Sequence, residues 1–164
     1  MSTSDKPIDC TCACGATTFT TSAAPLFRLI CHCTICQRFN DAAYGDVAVF
    51  RAKDVDTPAE GSVRYERMRR PPNVQRGSCA SCGAAAIELF HTPLMPSLTM
   101  VPVQNFGAAE TLPEPAAHIF YETRVCDATD DLPKYEGYWS SQLLFGRLLM
   151  KSLLGGGRQR SSRT

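Results

Sequence analysis

The sequence carries almost no net charge, no long apolar run and no internal repeat of architectural period. Seventeen Lys and Arg balance sixteen Asp and Glu, a formal charge of +1 over 164 residues. Global electrostatics therefore leave no footprint for a specific nucleic-acid partner. No apolar stretch approaches the roughly 20 residues that span a bilayer. The opening Met1-Ser-Thr-Ser-Asp-Lys-Pro7 is polar and lacks the apolar core of a signal peptide, so a cytoplasmic setting is expected. Nine cysteines in this length fall short of the density of a disulfide scaffold. In a reducing compartment, free thiols and zinc sites outnumber structural disulfides. With 44% hydrophobic residues, the chain can bury the core of one ordinary domain.

Acidic residues are missing from one end. From Ser140 onward there are five basic residues, Arg147, Lys151, Arg158, Arg160 and Arg163, and no acidic one. Removing those five from 17 leaves 12 basic against 16 acidic residues in the first 139, a net of −4.

What the chain does have is clustered cysteine. Eight of the nine fall in Cys10-Thr-Cys12-Ala-Cys14-Gly15, Cys31-His-Cys33-Thr-Ile-Cys36 and Cys79-Ala-Ser-Cys82-Gly83. Cysteines one or two residues apart can converge on one ion, whereas a disulfide over so short a span is strained. Cys79-x-x-Cys82-Gly83 reads as a zinc knuckle, and the glycine lets the backbone turn beside the sulfurs. Cys12-Ala-Cys14-Gly15 has the same Cys-Gly ending, so it pairs with the knuckle as a closed four-sulfur site. Cys31, Cys33 and Cys36 are left as a three-sulfur tripod. Structural zinc takes four protein ligands, but catalytic zinc takes three and keeps one position open. Three thiolates leave the site less negative than four do, which favours Lewis acidity and an incoming thiolate.

The rest reads as short extended runs broken by Pro and Gly. Candidate strands fall at 16–21, 26–30, 44–50, 62–67, 85–90, 97–103 and 118–123. Alternation such as Val63-Arg-Tyr65-Glu and Ile119-Phe-Tyr121-Glu argues for a mainly β, antiparallel domain. A helical turn is expected at 34–41, a short turn at 51–55 and a helix or turn entry at Asp130-Asp-Leu-Pro133, with loops at 58–61, 71–73 and 107–115. After Trp139 the spacing becomes helical, with Leu143, Leu144, Phe145, Leu148, Leu149, Met150, Leu153 and Leu154. The Gly155-Gly-Gly157 run ends this amphipathic helix. Residues 1–139 thus read as one zinc-binding domain, and 140–164 as helix plus basic tail. The helix packs on its own sheet or on a second copy in a homodimer; a basic membrane-surface helix is the alternative.

The order CxCG, CxCxxC, CxxCG is followed by Pro115-x-x-His118-Ile-Phe and Asp130-Asp-Leu-Pro133-Lys-Tyr. Together these resemble the glutathione-dependent formaldehyde-activating enzyme family, which includes centromere protein V-like members. The resemblance runs from about Thr11 to about Gly137. It implies a β-tent fold of antiparallel sheets and two zinc ions per chain. It also implies a structural zinc on Cys12, Cys14, Cys79 and Cys82, and a catalytic zinc on Cys31, Cys33 and Cys36. The implied activity is a carbon–sulfur lyase reaction, condensing a thiol such as glutathione with formaldehyde or a related small electrophile. A non-catalytic zinc module that binds a partner protein is the alternative. Asp41, Ser78, Ala84, Ala85, Cys126 and the run Val101-Pro-Val103-Gln-Asn105 depart from the family pattern.

The remaining chemistry-bearing residues carry blander expectations. Cys10 reads as a spare surface thiol and Cys126 as a small packed hydrophobe. Strand alternation turns His32 away from the ligands on either side of it. His118, in an apolar run, reads as a hydrogen-bonded core residue, and His91 carries no pattern. Arg38 reads as a solvated helix face. Arg64, Arg67, Arg69, Arg70 and Arg76 form a basic run that meets substrate carboxylates or balances acids elsewhere.

Overall fold

A computed structural model describes residues 7–69, 74–107 and 112–155. Nine strands and two α-helices occur among them. A hairpin of β1 (Ile8–Thr11) and β2 (Thr18–Thr21) forms a small sheet. The large sheet holds β3 (Phe27–Cys31), β4 (Gly45–Arg51), β5 (Val63–Glu66), β6 (Val74–Cys79), β7 (Ala85–Thr92), β8 (Met95–Pro102) and β9 (His118–Ile119). Its order is β5-β6-β7-β8-β4-β3-β9. The expected mainly β fold is present. Every pair is antiparallel except β3 with β9, where Ile30 and Cys31 align with His118 and Ile119.

The apolar run Val47-Ala-Val-Phe50 in β4 shows why a large sheet forms. It is buried on both faces, as expected of a strand with something packed on each side. Ala48 and Phe50 join Cys10, Phe19, Ile87, Val101 and Phe106 in one core, beneath the β1–β2 hairpin. Val47 and Val49 join Phe27, Leu29, Leu98, Leu144 and Leu149 in a second core on the opposite face. Helix α2 (Tyr138–Gly155) closes that second core. Phe145 meets the Phe27 ring edge-on at 5.3 Å, and the Ser152 hydroxyl donates to the Leu26 carbonyl at 3.0 Å.

Three expectations need correction. The strand expected at 118–123 stops after Ile119. Phe120 adopts a left-handed φ of 51°, and a 3-10 turn follows at Tyr121–Thr123. Cys10 is not a surface thiol but one of the most buried side chains, because it lies on the inward-facing side of β1. Burial pushes its thiol up to about 12. Cys126 is not packed as a hydrophobe; it lies exposed in the loop before Asp130. Two strands escaped the sequence reading, β1 and β6. The loop at 71–73 and the tail beyond Gly155 lie outside the described residues.

Candidate metal centres

Each cysteine cluster is placed by a turn at the end of a strand. Cys12 and Cys14 follow β1, where the Gly15 N–H donates to the Cys12 carbonyl at 3.0 Å. Cys79 ends β6, and the Gly83 N–H donates to its carbonyl at 2.9 Å. Gly15 and Gly83 have φ of 77° and 75°, the left-handed conformation by which a glycine turns the backbone beside the sulfurs. The two turns bring four sulfurs together across the small and large sheets. Cys12 Sγ lies 3.5 Å from Cys14 Sγ and 3.5 Å from Cys79 Sγ, and Cys14 Sγ lies 3.7 Å from Cys79 Sγ. Tetrahedral zinc with Zn–S of about 2.3 Å spaces its sulfurs by about 3.8 Å. The donor set therefore fits zinc in chemistry and in spacing. The Thr17 hydroxyl and the backbone N–H groups of Cys82 and Ser81 hold the Cys79 thiol down at about 5. Such a thiol is ready to ligate as thiolate.

Cys31 ends β3, and Cys33 is the N-cap of α1 (Thr34–Asn40). The Cys36 N–H donates to Cys33 Sγ at 3.4 Å, so one sulfur both caps the helix and faces its neighbours. The three sulfurs of Cys31, Cys33 and Cys36 lie within 4.8 Å of one another. No fourth Cys, His, Asp or Glu joins them among the described residues. Hydrogen bonds from the Cys31 and Cys36 thiols hold Cys33 far below the ordinary thiol value. The contact with Cys33 pushes Cys31 up, and the contacts with Cys31 and then Cys33 push Cys36 up. Cys31 and Cys36 are buried, and Cys33 is the partly open member. A donor set of three soft sulfurs fits zinc with one position left over.

Sequence reasoning did not find the frame that holds this tripod. His32 lies between two tripod cysteines and points to the other face of β3, as alternation requires. It is buried, and its Nε2 meets His118 Nδ1 at 2.8 Å. His118 Nε2 in turn meets Asp130 Oδ2 at 2.9 Å. The hydrogen bond from His118 holds the Asp130 carboxyl below the usual range. With Asp130 ionised, His118 Nε2–H donates to it, and His118 Nδ1 accepts from His32 Nε2–H. His32 Nδ1 has no hydrogen-bond partner among the described residues. Burial lowers the His32 pKa, and a second proton on the adjacent His118 would lower it further. His32, His118, Asp130, Tyr44 and Cys126 line a cavity of about 230 Å³ on this side of the strand.

The His32 backbone is clamped as firmly as its ring. Gln37 Nε2 donates to its carbonyl at 2.6 Å, and Thr123 Oγ1 donates to it at 2.8 Å. Its N–H donates to the Ile119 carbonyl at 3.0 Å. The Pro115 to Phe120 and Asp130 to Tyr135 segments thus brace the tripod from behind. The His118 N–H bonds the Pro133 carbonyl at 2.8 Å, and the Tyr135 N–H bonds the His118 carbonyl at 2.9 Å.

The basic run before the knuckle divides in two. Arg64, Arg67 and Arg69 are exposed, Arg70 lies outside the described residues, and Arg76 is buried against Glu88. Arg76 Nε lies 3.1 Å from Glu88 Oε2 but is misaligned for a hydrogen bond. Burial raises the Glu88 carboxyl to about 7, with Arg76 opposing the rise. The visible signal for this pair was Glu88 itself, a lone charge in the apolar run 84–90. Arg38 is exposed on α1, as expected, and His91 meets the Ser97 hydroxyl at an exposed position.

A crystal structure of a Rhodobacter sphaeroides protein is similar at a TM-score of 0.50 and 15% identity, covering 78% of this chain and 99% of that one. At that identity the likeness concerns the fold alone. No curated protein matches the chain. The family model described as glutathione-dependent formaldehyde-activating enzyme matches residues 7–123, which include all seven clustered sulfurs of the two sites. That span is well over half of the chain, and the chain therefore belongs to the glutathione-dependent formaldehyde-activating enzyme family.

Proposed function

We propose that the protein is a zinc-dependent carbon–sulfur lyase-type enzyme acting in the cytoplasm. Its substrates are a thiol such as glutathione and formaldehyde or a related small electrophile. The observation that carries this reading is the inequality of the two sulfur clusters, four against three. Cys12, Cys14, Cys79 and Cys82 close a structural site that joins the hairpin to the large sheet. Cys31, Cys33 and Cys36 form the catalytic site. Zinc bound there would supply a Lewis acid with one free position for a substrate atom.

The chain's own residues do the rest. Buried Cys31 and Cys36 fix one side of the site, and Cys33 opens it to an incoming thiol. The Cys36 N–H stabilises negative charge on Cys33 Sγ. Gln37, Thr123 and the His32–His118–Asp130 chain keep the Cys31-to-Cys36 turn in one geometry. Such bracing keeps the three sulfurs convergent without reorganisation when substrate arrives.

Metal content measured beside a thiol–aldehyde condensation assay tests the proposal. Two zinc ions per chain are expected. Cys33→Ser is expected to keep the fold and one zinc while turnover is lost. A Cys33→Ser protein with full activity would end the catalytic reading. A wild-type protein with one tightly held zinc and no condensation would favour a non-catalytic zinc module.

A further inference from the structure

Helix α2 carries a second apolar face that the fold does not use. Its inner side, with Ser141, Leu144 and Leu149, is buried against the second core. On its outer side Trp139, Leu143, Met150 and Leu154 are 77%, 67%, 55% and 70% exposed. At about 100° per residue these four fall within roughly 60° of arc, opposite the buried face. They form one stripe about 22 Å long at 1.5 Å per residue. Four large apolar side chains aligned in solvent are not the scattered exposure of an ordinary surface. Trp139 is held in place by the Tyr138 ring, edge-on at 5.3 Å.

Charge selects the occupant. Arg147 and Lys151 flank the stripe along one side, and three further arginines follow in sequence at 158, 160 and 163. No acidic residue occurs from Ser140 onward. A second copy of the chain is a poor match. The stripe is centred near Gly146 and Arg147, so two-fold antiparallel pairing would set Arg147 beside its own copy at the middle of the contact. An anionic lipid surface matches both properties, taking the apolar stripe at the acyl boundary and the basic groups among its headgroups. An indole at one end of such a stripe suits that interface.

We propose that the outer face of α2 is a peripheral docking surface for anionic lipid bilayers, lying in the interface plane with Trp139, Leu143, Met150 and Leu154 inserted and Arg147 and Lys151 on headgroups. This is independent of the chemistry at the cysteine sites.

Trp139 is the single tryptophan of the chain, so intrinsic fluorescence reads the proposed contact directly. The full-length, zinc-loaded protein is titrated with vesicles of phosphatidylcholine and phosphatidylserine, and separately with phosphatidylcholine alone. The expected result is a blue shift with the anionic vesicles, lost at high salt, and co-sedimentation of protein with lipid. Leu143→Ser with Leu154→Ser should abolish the shift while circular dichroism stays native. Arg147→Gln with Lys151→Gln should weaken vesicle partitioning by about tenfold. No shift with anionic vesicles would overturn the proposal, as would equal binding to neutral ones. A lipid-independent shift that grows with protein concentration, with a dimer mass on sedimentation, would overturn it in favour of self-association.

Discussion

Replacing Glu88 with glutamine should stabilise the protein at neutral pH, although it removes half of a buried ion pair. Glu88 is buried on β7, and Arg76, the cation that faces it among the described residues, is misaligned. Burial raises its carboxyl from 4.5 to about 7 in the folded state. In the unfolded chain it titrates near its ordinary value. Between those two values the native state holds a proton that the unfolded state has lost. Stability is therefore fully present below pH 4.5 and falls as pH rises through about 7. At about 1.36 kcal/mol per pH unit, the loss is about 3 kcal/mol. Glutamine mimics the protonated acid at every pH. Wild type and Glu88→Gln should match at low pH and diverge as pH rises, with the variant ahead by about 3 kcal/mol above the upper value. His32 shifts the other way, since its lowered pKa makes stability rise with pH. That contribution is common to both proteins and cancels in the difference. The assay is urea unfolding of zinc-saturated protein by circular dichroism across the pH range. A variant about 3–5 kcal/mol less stable at neutral pH would refute the argument, since that is the cost of breaking a well-formed buried pair. A pH-independent difference would refute it as well.

Three further outcomes follow from packing and bracing. Gly77→Ala would place a Cβ 2.5 Å from Val63 Cγ1 and 2.9 Å from Tyr65 Cε1, so these side chains of β5, or the strand that carries them, must give way. The expected cost is about 1–3 kcal/mol by urea unfolding, and an unchanged midpoint would mean that β5 yields freely. Leu149→Ala removes a buried α2 side chain from the second core and should cost about 2–5 kcal/mol. A negligible loss would show that α2 does not depend on this contact. His118→Ala removes the link between His32 and Asp130 and should speed chelator extraction of zinc from the tripod by about tenfold or more. The four-cysteine site should release its zinc at the wild-type rate, and equal effects on both sites would reduce His118 to a general core residue.

The parts legible in the sequence are those encoded by residues near one another along the chain. Val47-Ala-Val-Phe50 announced a strand because an apolar run of that length is buried on both faces. Cys12-Ala-Cys14-Gly15 and Cys79-x-x-Cys82-Gly83 announced turns because glycine takes the left-handed conformation found at Gly15 and Gly83. Strand β6 was missed because Val74-Gln-Arg-Gly-Ser-Cys79 has no alternation. It lies between β5 and β7, where Gly77 makes room for Val63 and Arg76 answers Glu88 across the ladder. Its small and charged residues are dictated by those neighbours.

The tripod divides along the same line. Its three sulfurs sit within six residues, so spacing alone grouped them. Alternation also turned His32 off the sulfur face correctly, because the chain stays extended one residue past β3 and successive side chains point to opposite sides. What His32 meets there depends on β9, which pairs in parallel with β3 and brings His118 from 86 residues away. A two-residue parallel strand leaves no periodic trace, and the left-handed Phe120 ends it before one can develop. The phrase Pro115-x-x-His118-Ile-Phe carried family likeness, and His118 read from it as the hydrogen-bonded core residue that it is, but its partners left no trace in the sequence. The register of β9 supplies one of them: Ile119 aligns with Cys31 and faces the sulfur side, so His118 must face away and meet His32. A one-residue slip of β9 would turn His118 to the tripod face and leave His32 buried without either ring nitrogen satisfied, so the pairing of the two histidines and the register of the strand enforce each other.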